Sequence, residues 1–306
     1  MGKSFLRLLP AVLLLAGCDW EDLGPSNRFT EDFSYKFDLK PGGRVTLENF
    51  NGSVEILGWE KESVEIQGTK YAASKDLLDA LKIEITPSDG SLYVRTVRPF
   101  ERRSNLGARY RISVPRKTTL EKITSSNGSI RVEGVSGNGR LRTSNGAVRA
   151  MRYQGDLEAT TSNGGVELTE FQGAATLTTS NGAITADGVR GHFQATTSNG
   201  TIDARLVELE AQRPVRVHTS NGNVKLTIES LRGNDVHADT SNGSITVRLP
   251  ASTAARVRAH TSNSSVSTDF VVSGTQSKTR LEGAIGAGGP LLDLTSSNGS
   301  VRLLKL

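Results

Sequence analysis

The chain has 306 residues, 37 of them Lys or Arg and 32 Asp or Glu, for a formal net charge of +5. So mild a balance argues against a nucleic-acid-binding domain, which carries a far stronger basic footprint. Aromatic residues make up 5% of the chain and glycines number 32, which disfavours a globule around one large aromatic core and favours many turns over a thin core of small side chains.

The N-terminus, MGKSFLRLLPAVLLLAGC, sets Lys3 and Arg7 before an apolar run over residues 8–16 and a small residue at Gly17. This is the plan of a secretory signal over residues 1–17, too short to span a bilayer. Its end, Leu15-Ala16-Gly17-Cys18, resembles the bacterial lipobox, whose cysteine is acylated and begins the mature protein. Cys18 is therefore the expected lipid-attachment site, and the membrane is a partner through that lipid. Without Lys3 and Arg7 the charge is 37 − 2 − 32 = +3. Cys18 is also the only cysteine, so no intrachain disulfide can form and stability must come from packing. Asp19 resembles the residue that retains lipoproteins in the inner membrane of enteric bacteria, but other lineages sort differently, so either membrane or the cell surface is open. Residues 18–25 read as a tether.

Residues 26–120 read as the N-terminal, β-rich part of one elongated domain. RVTLENFNGSVEI alternates Val45 and Leu47, then Val54 and Ile56, about Asn51-Gly52. A short helix follows over residues 74–81, capped by Ser74, with the leucines of KDLLDAL on one face. KIEITPSDGSLYVRTV reads as a hairpin around Pro87-Ser88-Asp89-Gly90, and ARYRISVP as a strand closed by Pro115.

Residues 121–306 are a repeat. Ser-Asn-Gly puts Asn at 127, 145, 163, 181, 199, 221, 242 and 298, with Ser-Asn-Ser at 263. The intervals are 18, 18, 18, 18, 22, 21, 21 and 35, the mark of one structural unit with insertions between copies. Four residues before the Asn the chain is apolar, as at Ala195, and from Leu157 onward so is the position six before, as at Phe193; three after it the chain is apolar again, as at Ile184, and five after it in every copy but that of Asn263, as at Ala186. Each run is thus a short strand with one buried face. Two before the Asn the inward position holds Ser or Thr, from Ser125 to Ser296, whose hydroxyl can bond a neighbouring backbone group. The glycine after each Asn is expected to let the chain turn.

Asn-Gly between apolar runs suits an antiparallel meander, but also one coil of a parallel β-solenoid with asparagines stacked at about 4.8 Å. A third apolar position eight after the Asn, at Val135, Tyr153, Phe171, Val189 and Val207, favours the solenoid, because a return turn has no use for it. The expected fold is all-β, a parallel β-solenoid with coils of about 18–22 residues and one short N-terminal helix insertion.

From residue 40 onward, VTLENFNGSVEILGW, YRISVPRKTTLEKITSSNGSIRVEGVSG, the serial TSNG coils and GGPLLDLTSSNGSVRLL together resemble the bacterial putative-adhesin family, also called toast-rack β-solenoid domains. The resemblance implies an envelope-facing solenoid, often lipid-anchored, working as a structural or binding module. It carries no reaction, catalytic residue or cofactor. The partners it leaves open are a glycan, an envelope protein or a second copy, and nucleic acid is not among them.

The competing reading is a carbohydrate-active β-helix enzyme, a lyase or glycosidase acting on envelope polysaccharide, which needs paired carboxylates on one face. The outward position four after the Asn offers Glu167 and Asp203, separated by the coil of Thr185. A second cluster lies three before the Asn, at His218, Asp239 and His260, with His237 five before on the middle coil; stacked in chain order, they could hold a transition metal. A third is basic: Arg95, Arg98, Arg102, Arg103, Arg109, Arg111, Arg116 and Lys117 against Glu101, suited to anionic headgroups or acidic glycans.

Overall fold

The computed structural model describes residues 29–99 and 105–306. Strands before and after each Asn corner stack in parallel and in register. Leu141 lies opposite Ile123 and Ala159 on one side of the stack, and Val148 opposite Ile130 and Val166 on the next. A third side runs through Ser136, Gln154, Gln172 and Arg190, again in parallel steps. The three sides enclose one continuous core of Val, Ile, Leu and Ala. Tyr153, Phe171 and Phe193 are the largest side chains fully inside it, and the first two stack with ring centres 6.1 Å apart. A meander is thereby excluded along the body of the stack.

The corner is built from three repeated bonds. Each Asn amide donates to the Asn one rung away, as Asn181 Nδ2 does to Asn163 Oδ1 at 2.8 Å and Asn199 to Asn181 at 2.8 Å. The ladder runs from Asn51 to Asn263. The inward hydroxyl donates to the glycine carbonyl one rung below: Thr179 Oγ1 to Gly164 O at 2.8 Å, Thr197 to Gly182 at 3.0 Å. A buried hydroxyl and a buried carbonyl thus satisfy one another, so neither incurs a desolvation cost. In the first copy Asn49 takes the hydroxyl's place, its amide donating to the carbonyls of Asn51, Gly52 and Ala108.

The glycine is there for closeness and not, as its position in the sequence suggests, for a turn. Gly182 and Gly200 have no positive φ. A Cβ on either would stand 1.9 Å from the carbonyl oxygen of the glycine below. Left-handed backbone occurs at a different corner, again every 18 residues, at Gly134, Arg152, Glu170 and Gly188 with φ of 69°, 49°, 53° and 73°. Arg152 and Glu170 bear a strain there of about 1–2 kcal/mol each that glycine avoids. Beyond Gly188 the register slips, so Val189 meets Leu206, and the buried residue of that coil is Leu206 and not the expected Val207.

The N-terminal part forms β1 (Phe29–Asp38), β2 (Gly43–Asn51), β3 (Val54–Trp59), β4 (Ser63–Ala72), helix α1 (Lys75–Ala80), β5 (Lys82–Ser88), β6 (Ser91–Val97) and β7 (Leu106–Pro115). Ser74 caps α1, its Oγ accepting from Leu77 N at 3.3 Å. β2 and β3 form a regular coil against Thr118–Asn127 and Ile130–Glu133, but they are not the outermost one. β6 and β7 stack outside them, and antiparallel strands finish the end: β5 on one side, β4 and then β1 on the other.

The C-terminal end repeats this device. The last coil, Leu291–Ser296 and Val301–Lys305, does not lie outermost. It is inserted between the coil of Asn242 and the coil of Asn263, pairing with both. Accordingly Asn298 donates to Asn242 and accepts from Asn263. An antiparallel pair, Arg280–Ile285 and Val272–Gln276, then covers the side of Ala255–Thr261 that faces away from the stack. Both ends are thus locked one rung in and dressed with antiparallel strands.

Candidate binding surface

Side chains at outward positions form straight rows because each coil repeats the last. Four after the Asn, Glu167, Thr185 and Asp203 lie on successive rungs. Glu167 pairs with Arg149 at 3.0 Å, and Asp203 with Lys225 at 3.8 Å. The two carboxylates are two rungs apart and each is turned to a neighbouring cation.

The histidine cluster is divided. His218 hydrogen-bonds Asp239 through Nδ1, and His237 sits 3.8 Å from Asp293. His260 does not join them: inserting the last coil puts Thr295 between Asp239 and His260. Stacking in chain order is what brought these residues together in the sequence reading, and the order is broken at that rung. Among the described residues no three His, Cys, Asp or Glu gather in a way that could hold a metal ion. The remaining histidine, His192, is buried with Nδ1 unbonded, and burial lowers its pKa.

The basic stretch is also dispersed. Arg95 is on β6, on the first side of the stack, whereas Arg109 and Arg111 are on β7, on the second. Arg111 pairs with Glu55 at 2.9 Å and Arg116 with Glu60 at 2.8 Å, while Arg98 and Arg109 lie over the rings of Phe50 and Tyr71. Arg102 and Arg103 fall outside the described residues, as do Cys18, Asp19 and the leader.

The third side carries a shallow groove of about 500 Å³. Its bed follows the row Ser136, Gln154, Gln172 and Arg190, and its rim is the left-handed corner, with Arg152, Glu170 and Arg205. The arginines are held by carboxylates: Arg190 to Glu208 at 3.1 Å, Arg205 to Asp187 at 3.3 Å and Glu229 at 2.7 Å, and Arg152 to Glu133. Glu133 is kept below the usual carboxylate range, first by its hydrogen bond from Arg131 and then by the charge of Arg152. Four arginines, Arg116, Arg152, Arg190 and Arg205, thus line the groove against one carboxylate, Glu170, each of the four is paired with an acid outside the lining, and the rows repeat at a pitch of about 4.8 Å.

Residues 44–304 match the family model described as Toastrack DUF4097. The chain belongs to this Toastrack family. No curated protein matches it. Among solved structures, it is similar to a "putative adhesin" from Bacteroides fragilis, with 12% identity over 90% of this chain and 97% of that one and a TM-score of 0.41. It is also similar to a "putative cell adhesion protein" from Clostridium sporogenes, with 14% identity over 90% and 100% of the two chains and a TM-score of 0.24. A "putative lipid binding protein" from Parabacteroides distasonis shows 11% identity over 90% and 96%, with a TM-score of 0.36.

In this Toastrack chain the groove escaped sequence reasoning although its signal was present. Ser136, Gln154, Gln172 and Arg190 stand nine residues after their asparagines, with the same 18-residue period as the core. Polar residues at a fixed phase form a row as surely as apolar ones do.

Proposed function

We propose that this Toastrack protein is an exported envelope module, anchored through acylated Cys18 and the 18–25 tether, that binds an extended glycan along the third side of its solenoid. The groove carries this reading: the planar amides of Gln154 and Gln172, each both donor and acceptor, lie among arginines already paired with carboxylates, a set that suits hydroxyl groups better than a dense anion. The repeat of the rungs favours a polymer, since each sugar unit can meet the same kind of contact on the next coil. Binding is favoured over catalysis because Glu167 and Asp203 are each engaged by a neighbouring cation.

Calorimetric titration with a chitin-derived hexasaccharide, dextran and dextran sulfate tests the site. The uncharged hexasaccharide should bind, and Gln172→Ala with Arg190→Ala should weaken it by about tenfold, equivalent to about 1.4 kcal/mol. A hexasaccharide that does not bind, or that binds the double variant equally well, overturns the assignment. In cells, Cys18→Ser should move the protein from the membrane fraction to the soluble one.

A further inference from the structure

The ends of the stack are not equally protected. At the C-terminal end the outermost strands are short: Val266–Thr268 has three residues and Val272–Gln276 five. At the N-terminal end β5 carries Pro87, which cannot donate a ladder hydrogen bond. β1 is different. It is ten residues long, contains no proline, and among the described residues its only strand partner is β4, while helix α1 lies close to it. Its inner face is aromatic apart from Glu31, which pairs with Lys70 at 2.9 Å. Phe33 and Phe37 lean on the core, Phe33 lies 5.5 Å from Tyr110, and Tyr35 and Phe29 stay 40% and 39% exposed. A long aromatic edge of this kind is an association site unless something covers it.

We infer that β1 pairs antiparallel with β1 of a second copy, about a two-fold axis through Ser34, joining two solenoids end to end. The outer-face charges of β1, FTEDFSYKFD, are self-complementary in that register and in neither register two residues away. With Ser34 opposite the partner's Ser34, Asp32 lies opposite the partner's Lys36 and Lys36 opposite the partner's Asp32, giving two opposed charge pairs on the outer face. On the inner face Phe33 lies opposite the partner's Tyr35 and Tyr35 opposite the partner's Phe33, with Glu31 and Phe37 opposed further out, so it is the outer-face charges that select the register. Aromatic and opposite-charge cross-strand pairs are the pairs that stabilise a sheet. A slip of one residue would set aromatic positions against polar ones and turn the inner face outward. A slip of two in one direction sets Asp32 against the partner's Asp38, and in the other it leaves every charge without an opposite. This dimer is independent of the groove on the third side, and neither inference requires the other.

Sedimentation equilibrium on the whole chain with Cys18→Ser, free of lipid, tests the pairing. The protein should dimerise. Lys36→Asp should raise the dissociation constant by about tenfold, since two attractive pairs become repulsive, and Asp32→Lys in the same chain should restore it. Both residues are exposed, but Asp32 accepts from Thr69 Oγ1 at 2.6 Å and Lys36 lies opposite Glu65 within its own sheet, so an unchanged melting temperature is required of each variant to show that the fold is kept. Ser34→Cys should form a disulfide dimer under mild oxidation, because opposed strand residues lie within disulfide reach, and Thr30→Cys should not. A wild-type monomer at about 0.1 mM overturns the inference, whether the edge is instead covered by residues 1–28 or rests on a membrane. A charge swap that fails to restore association overturns it equally.

Discussion

Removing residues 290–306 should leave no stably folded protein. The deleted segment is the last in sequence but an internal rung in space, between Val236–Thr240 and Ala255–Thr261 on one side and between Ile245–Leu249 and Val266–Thr268 on the next. Four fully buried aliphatic side chains go with it, Leu292, Leu294, Val301 and Leu303. At about 1.5–3 kcal/mol each their burial is worth about 6–12 kcal/mol, comparable to the whole stability of a typical domain. The loss also opens two pairs of strand edges that face one another across a gap of two rungs, about 9.6 Å, too wide for hydrogen bonds and lined with apolar side chains. Ser296 Oγ would no longer reach Gly243 O, and Thr261 Oγ1 would lose Gly299 O. A solenoid stacked in chain order would lose only its outermost coil, with the rest little affected. Soluble yield and urea unfolding separate the two. A truncated chain that melts at the wild-type midpoint would mean that the last coil does not hold an inner place.

Much of the body of the stack was legible because every coil solves the same problem with the same residues. The alternation about Asn181 gives two strands, and the apolar residues at Val135, Tyr153, Phe171 and Val189 give a third side, so a closed coil follows from phase alone. What phase cannot give is the order of the rungs. The coils of Asn242 and Asn298 carry the full apolar pattern, and that of Asn263 departs from it only at Thr268, a single polar position that does not by itself say which coil lies outermost. The sign of the exchange is the interval of 35 residues before Asn298, long enough for one coil and the antiparallel pair that covers the end. The histidine cluster failed for the same reason: His218 and Asp239 really are neighbours, while His260 was placed by an order the chain does not follow. The basic stretch failed through geometry, since strands that follow one another in sequence, β6 and β7, line different sides of the coil. Glu170 and Arg152 gave no warning of the left-handed corner, because a side chain there is tolerated at a cost of only about 1–2 kcal/mol.

Gly182→Ala, like the same change at Gly164 or Gly200 in its column, should be strongly damaging, and it distinguishes the two explanations of the repeated glycine. If the residue were needed for its turn, alanine would cost little, because Gly182 has no positive φ. The structure places the new Cβ 1.9 Å from Gly164 O and 2.4 Å from its carbonyl carbon, contacts that backbone cannot relieve without parting the rungs. Parting them stretches the bond from Thr179 Oγ1 to Gly164 O and the amide bond between Asn181 and Asn163. Overpacking typically costs about 1–3 kcal/mol, here toward the upper end because the clash is with backbone, and an unsatisfied buried carbonyl adds about 1–3 kcal/mol. Because each rung contacts only its neighbours, the damage should also split the molecule, so that the urea transition broadens or divides in two as the halves on either side melt separately. Thr179→Val, which keeps the shape and removes only the hydroxyl, should lose the second of these amounts alone in a single transition, and Thr179→Ser should lose still less. Gly182→Ala with a midpoint no lower than that of Thr179→Val would show that the rungs do not approach one another as closely as the glycine column requires.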